Sequence, residues 1–194
     1  YTEAEQLINS GVYLLYADCI SLAAHSNITI RLTDTHDLTT ERLYISSHDT
    51  GNSVKAILFQ DSVTFVRFTS LNVLPGYLLV GKLLEVINKY KINVISMASS
   101  NVSISMVISA SPDTLRIVQK ELHKYAEMVI DENMTVRHII GSLHWQRTQV
   151  ESHIMNTIKD IPISQISYGG SDQCFTLSVH TTDKNRLISL LAAH

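Results

Sequence analysis

The 194-residue chain is poor in the residues that cross-link or punctuate a fold: two cysteines, three prolines, one tryptophan, and 7% aromatic residues. Cys19 and Cys174 lie far apart, which excludes a multi-disulfide framework and reads as two buried reduced thiols. No apolar run is long enough to cross a bilayer as a helix, so no membrane partner is expected. The opening residues carry no charged-then-apolar leader, and Tyr1 is not a start methionine. The expectation is the interior of a longer, cytoplasmic protein. A net charge of −3, with scattered Lys and Arg, gives no basic footprint for nucleic acid. The nine histidines form neither HExxH nor a close Cys–His spacing, and the seven glycines form no phosphate loop. His138, His144 and His153 read as surface or satisfied histidines. Asp34, His36 and Asp37 look like metal ligands at first sight but read as a solvated polar loop.

What the chain does have is 45% hydrophobic against 17% charged residues, enough to bury a core, and one pattern that occurs twice. Around residues 63–109, the strand VTFVRFTS leads to the helical stretch LLVGKLLEVINKY, the phrase KINVISMASS and the strand NVSISMVIS. Around residues 134–180, TVRHIIGSL leads to VESHIMNTIKD, IPISQISYGG and DQCFTLSVH. Two copies of strand–helix–strand–strand, each followed by another helical stretch, predict two small α+β modules built alike.

Ahead of the repeats, residues 2–9 read as a helix that Thr2 can cap, and Gly11 follows its end. Residues 12–16 read as a buried strand, 18–25 as a helix, and 27–32 as a strand with Ile28, Ile30 and Leu32 on one face. Residues 43–46 form one more strand, and a turn around Gly51 follows. Residues 54–59 read as a strand standing apart from either repeat. In the first repeat Leu79, Leu83, Val86, Ile87 and Tyr90 form the stripe of a helix. Ser111 caps a second helix, with Pro112 at its first position. Residues 126–130 close that module, whereas the second repeat ends without a closing strand. The economical reading joins residues 54–59 to the second sheet, so that the first module is inserted within the second. Trp145 is expected to anchor the second module's loop and Gly169–Gly170 to make a hairpin turn.

The stretch TSLNVLPGYLLVGKLLEVINKYKINVISMASSNVSISMVIS resembles the first ACT module of aspartate kinases, especially the lysine-sensitive type. ISYGGSDQCFTLSV is similar to the matching strand pair of the second module, and AEQLINSGVYLLYADCISLAAHSNITIRL to the end of the kinase domain. The resemblance covers nearly the whole chain. It implies an α+β fold of two interlocked ferredoxin-like (βαββαβ) ACT modules, preceded by a short α/β remnant of the amino-acid kinase domain. The implied divisions are 1–47 for the remnant, 53–60 for the strand completing the second module, 61–133 for the first module and 134–194 for the second. The family phosphorylates the side-chain carboxylate of L-aspartate with ATP, which opens the route to lysine, threonine and methionine. ATP and Mg are therefore implied for the parent kinase. No cofactor is implied for this chain, which on its own should not catalyse. Where the family reads GAKVLHP, Tyr13 replaces the lysine and Tyr16-Ala17 the His-Pro; tyrosine supplies no cation for a nucleotide.

The resemblance also implies an amino-acid effector site, on Val73, Gly76, Leu78, Leu79, Val80, Val94, Ile95, Ser99, Ser100 and Asn101. Three positions depart from the lysine pocket: Leu78 replaces a glycine, Ile95 an aspartate and Asn101 a glutamate. A buried ammonium there lacks its counter-charge. Lysine or threonine remain the candidate effectors, and threonine suits neutral Ser100 and Asn101 better. The competing reading makes Leu78, Leu79 and Ile95 plain core or interface residues and the serines an ordinary tight turn. Partners implied are a second copy of the chain through the modules and the parent's kinase domain. A ligand-free dimerisation scaffold is the alternative function.

Overall fold

The computed structural model describes residues 1–12, 15–33, 41–48, 54–71, 75–143 and 148–192. Tyr13, the Asp34–His36–Asp37 loop, Gly51, Val73, His144 and Trp145 lie outside them.

The N-terminal part packs α1 (Thr2–Asn9) and α2 (Ala17–His25) onto an antiparallel hairpin of β1 (Ile30–Thr33) and β2 (Glu41–Ile45). Ala4, Ile20 and Ile45 are buried at its centre, joined by Ile8, Leu15, Ile30 and Leu32. Ile28, expected on the inner face, is exposed and precedes the strand. Thr2 begins α1 rather than capping it: the carbonyl of Tyr1 accepts from the Glu5 amide at 3.0 Å. The expected strand at 12–16 is absent among its described residues. Val12 closes the turn after α1 by donating to the Leu7 carbonyl, and Tyr16 is 71% exposed just before α2. Leu15 packs against the cluster of Ala4, Ile20 and Ile45. Cys19 is exposed on α2, which corrects its expected burial, and neither cysteine is bonded to the other.

The rest is one six-stranded antiparallel sheet with helices. Its elements are β3 (Val54–Ser70), α3 (Gly76–Lys89), β4 (Asn93–Ser99), β5 (Ser103–Ser109), α4 (Pro112–Leu122), β6 (Ala126–Gly141), α5 (Thr148–Thr157), β7 (Ile163–Ser167), β8 (Cys174–His180) and α6 (Lys184–Ala192). A 3₁₀ turn, Thr181–Asp183, links the last two. The strand order is β4-β5-β3-β6-β8-β7.

Two strands are long and shared. Residues 56–60 of β3 pair with 136–140 of β6, and residues 65–70 of β3 pair with 126–131 of β6. The stretch 54–59 is therefore not separate from the first repeat; it runs straight into it. The polar trio Gln60-Asp61-Ser62 lies between the two paired stretches. In the structure it is a bulge: the register shifts on both sides of Val63, and Ser62 sits at φ 57°. A bulge bends a strand without ending it, so one chain segment serves both halves of the sheet. The first half has the order β4-β5-β3-β6, and the second half β3-β6-β8-β7.

Each half carries its own apolar layer under its helices. In the first, Leu79, Leu83, Val86 and Ile87 of α3 and Leu115, Val118 and Leu122 of α4 cover Val66, Phe68, Ile104, Met106 and Ile108. Leu79 and Leu83 are fully buried, each stabilising by roughly 1.5–3 kcal/mol. Ser111 caps α4, its hydroxyl accepting from the Thr114 amide at 3.2 Å. In the second half, Ile154, Ile158 and Leu187 cover Ile139, Phe175, Leu177 and Val179. The opposite faces meet in a small layer of Val63, Phe65, Val107, Met134 and Val136. The outer strands β4 and β7 also come together, where the Gln165 side-chain amide donates to the Ser96 hydroxyl at 2.7 Å.

Candidate ligand site

At the loop end of the first half, the start of α3 meets the turn between β4 and β5. Pro75, which has no N–H, stands at the N-cap, and no side chain among the described residues caps the helix. Its carbonyl accepts from Leu78 at 2.9 Å and from Leu79 at 3.1 Å. Such an uncapped helix start offers backbone N–H groups and the positive end of the helix dipole to an anion. Gly76 is there because nothing larger fits: a Cβ would lie 2.4 Å from the carbonyl oxygen of Asn101. The turn holds itself. The Ser100 amide donates to the Ser103 carbonyl at 2.8 Å, and the Ser100 hydroxyl accepts from the Ser103 and Val102 amides. Between helix start and turn lies an open cavity of about 540 Å³ lined by Pro75, Gly76, Tyr77, Val80, Ser99, Ser100 and Asn101. Among the described residues, no acidic or basic side chain lines it.

No protein-family model matches the chain. Aspartokinase 3, chloroplastic, from Arabidopsis thaliana is 25% identical over 98% of this chain, which spans about a third of that protein (36%). Among solved structures, E. coli aspartokinase III in complex with lysine and aspartate superposes with a TM-score of 0.81 at 19% identity. That match covers 98% of this chain and 44% of the enzyme. A domain from Porphyromonas gingivalis, described as the C-terminal regulatory domain of aspartate kinase, superposes with a TM-score of 0.64 at 27% identity, over 71% of this chain and 94% of its own. The fold is that of an aspartokinase regulatory region.

Within this aspartokinase-like fold, the ten residues singled out from the sequence do not all meet. Gly76, Val80, Ser99, Ser100 and Asn101 line the one loop cavity. Leu79 points into the core instead, and Leu78 is exposed beside the site without lining it. Val94 and Ile95 line a different cavity of about 230 Å³, with Asn93, Gln60, His138 and Thr176. Val73 lies outside the described residues. Sequence reasoning passed over Pro75 and Tyr77, although Pro-Gly ahead of a helical stripe is itself the signal for an uncapped helix start.

The second half of the aspartokinase-like sheet buries polar groups of its own. His138 is buried, not superficial: its Nδ1 lies 3.0 Å from the Thr176 hydroxyl, and its Nε2 has no partner among the described residues. Burial holds its pKa below that of a free imidazole. The Cys174 thiol beside Thr176 is pushed up by burial, with the Thr176 hydroxyl opposing. Among the described residues, no group of three or more His, Cys, Asp or Glu is placed to hold a metal ion, and no helix is long and apolar enough to cross a membrane.

Proposed function

We propose that the chain is the amino-acid-sensing and dimerisation region of an aspartokinase. The observation that carries this reading is the uncharged cavity between the uncapped start of α3 and the Ser99–Asn101 turn, on a fold otherwise found in aspartokinases. The amino-acid carboxylate sits at the helix start, which suits an anion. The side chain faces Val80 and Asn101. Ser100 contributes shape more than bonding, because its hydroxyl is engaged by its own turn. An effector with a neutral side chain, threonine-like, fits this lining. A lysine ammonium would lie among uncharged groups, and leaving it without a counter-charge is costly.

The parent enzyme would transfer a phosphate from ATP, with Mg, to the aspartate side chain. That chemistry belongs to the part of the relatives that this chain does not span. The effector acts by binding one arrangement of the two sheet halves and the kinase domain better than another. A second copy of the chain docks on the same end of the molecule, where Leu71, Tyr77, Leu78, Met97 and Val102 are exposed close in sequence to the cavity lining. The two unpaired cysteines suit a reducing compartment such as the cytoplasm.

Isothermal titration with threonine, lysine and methionine, alongside the mass in solution, tests the reading. Saturable binding of a neutral amino acid that Gly76→Ala abolishes supports it. A folded dimer silent to all three favours the ligand-free scaffold, and lysine binding most tightly overturns the argument from the uncharged lining.

A further inference from the structure

The cavity that Val94 and Ile95 line, about 230 Å³ in volume, lies where three parts of the chain meet. Gln6, Asn9 and Ser10 come from the end of α1, Gln60 from β3 beside its bulge, and Asn93 from the start of β4. His138 of β6 and its ladder partner Thr176 of β8, with Cys174 beside them, complete the lining from the second half. Among the described residues, no Asp, Glu, Lys or Arg lines the cavity. It is walled by amides and hydroxyls, with one imidazole and one thiol that burial holds in their uncharged forms.

His138 is the incomplete member of this wall. It is 4% exposed; Nδ1 lies 3.0 Å from the Thr176 hydroxyl, and Nε2 has no partner among the described residues. The Thr176 hydroxyl has one proton, and the Cys174 thiol is also close to it, at 3.4 Å. If that hydroxyl donates to Nδ1, Nε2 carries an N–H that lacks an acceptor. If Nδ1 carries the proton, Nε2 is an acceptor that lacks a donor. An anion completes only the first state and a cation only the second, and either loses its hydration among uncharged groups. A group that both donates and accepts completes His138 in either state. The cavity is far larger than one water's share of about 30 Å³, so it has room for an organic molecule.

We propose that this cavity is a second ligand site, which takes a small uncharged molecule bearing a carboxamide, its amide on His138 and the Asn9 and Asn93 side chains and its aliphatic part against Val94 and Ile95. An amide pairs in kind with the side-chain amides of the wall, each of which both donates and accepts. The site shares no lining residue with the loop cavity. Its occupant touches α1 and both halves of the sheet at once, and so fastens the N-terminal part to the sheet beside the tie that Lys55 of β3 already makes to Glu3 of α1 at 2.7 Å.

The test is an NMR titration of the chain with butanamide, with butanoate as the anionic and butylammonium as the cationic counterpart, following the His138 ring and the side-chain amides of Asn9 and Asn93. Butanamide is expected to shift these signals saturably, to leave the backbone amides of Gly76 and Asn101 at the loop cavity unmoved, and to bind at least tenfold more tightly than either charged molecule. His138→Phe removes both ring nitrogens and should abolish binding. Asn93→Leu, at an exposed position, should weaken butanamide at least fivefold, and it decides the matter should the His138 variant fail to fold. No saturable shift with butanamide, which would mean that the cavity holds solvent only, overturns the proposal. So does equal affinity for the three molecules, or full butanamide affinity in either folded variant.

Discussion

The two halves of the sheet share an order of elements but differ in what they bury. Under α3 and α4 the first half is closed by apolar side chains from Val66 and Phe68 to Leu115 and Leu122, and Thr64 is the buried polar residue of its strands. The second half buries Thr135, Arg137, His138, Ser142, Gln165, Thr176 and Ser178, and Arg137, His138, Gln165 and Ser178 each hold an atom with no partner among the described residues. Unsatisfied buried groups oppose folding. The second half is therefore the costlier one to fold, since more of its interior is polar. Because β3 and β6 belong to both, neither half can loosen without straining the other.

The harshest way to break that comparison is to hollow each core in turn. Leu83→Ala and Leu177→Ala each remove a fully covered side chain, and each is expected to cost about 2–5 kcal/mol. Scanning calorimetry should show one transition for the wild type and one, displaced downward, for each variant, since the shared strands tie the halves. Two separated transitions, with only one displaced per variant, would show that the bulge at Ser62 uncouples them.

Gly76→Ala attacks the first half at its site instead of its core. The new methyl meets the Asn101 carbonyl, a backbone atom, so the helix start and the turn must part. Overpacking of this kind costs about 1–3 kcal/mol, and amino-acid binding should vanish with it. Gly81, also in α3, has open space around its position; Gly81→Ala should stabilise by about 0.5–1 kcal/mol and leave binding alone. Denaturant midpoints with a titration for each variant separate the two effects. Equal behaviour of the pair would remove the close approach at Gly76 as the reason for a glycine there.

These contrasts mark how far the sequence was readable. The helical stripes of α3 and α4 and the Ser111 cap were plain, because periodicity and capping are local. So was the need for residues 54–59 to complete the second sheet, since a module without its last strand leaves an edge. The continuity of β3 through Gln60-Asp61-Ser62 was not readable, because a bulge and a break have the same local composition. At Val12, Leu15 and Tyr16, the described residues of the run 12–16, no strand forms, because an apolar run is a strand only if a ladder partner exists. Of the residues the resemblance pointed to, Gly76 and the serine turn line the loop cavity, whereas Val94 and Ile95 line another. The isolation of Arg137 and the burial of His138 depend on neighbours from distant parts of the chain, which no pattern along one strand encodes.

The second half should respond to mild acid through a buried histidine. His138 is held neutral by burial, so its folded pKa lies below the ordinary value of 6.5. The unfolded chain therefore takes up the proton first. Stability is complete above about pH 6.5 and falls as pH drops towards the folded pKa, by at most ~1.4 kcal/mol per unit. Its partners limit the effect to one site: Thr176 and Cys174 beside it carry no charge at these pH values. Urea midpoints at pH 7.5 and 5.5 should differ less for His138→Phe than for the wild type. An unchanged difference would move the acid response to other groups. Asp61, held below the usual carboxylate range by its bonds from Lys184 and Thr135, contributes only at lower pH, as stability lost when pH falls from about 4 through its folded pKa.

The smallest effect tests the seam where β4 of one half meets β7 of the other. Gln165 reaches across to Ser96, and its own carbonyl oxygen has no partner among the described residues. Deleting the hydroxyl in Ser96→Ala should cost about 0.5–1.5 kcal/mol, and Gln165→Leu less than that, because it removes the orphaned acceptor along with the donor. A double-mutant cycle should return a coupling near 0.5–1 kcal/mol. The same cycle read through effector affinity is the sharper measurement. If the bond only fastens two edges, affinity at the loop cavity is the same in all four proteins. If the halves change their angle when the cavity fills, the variants shift affinity and the shift is non-additive. Since Ser96 lies on the strand that ends at Ser99, in the cavity wall, the bond is well placed to carry that change from the first half to the second.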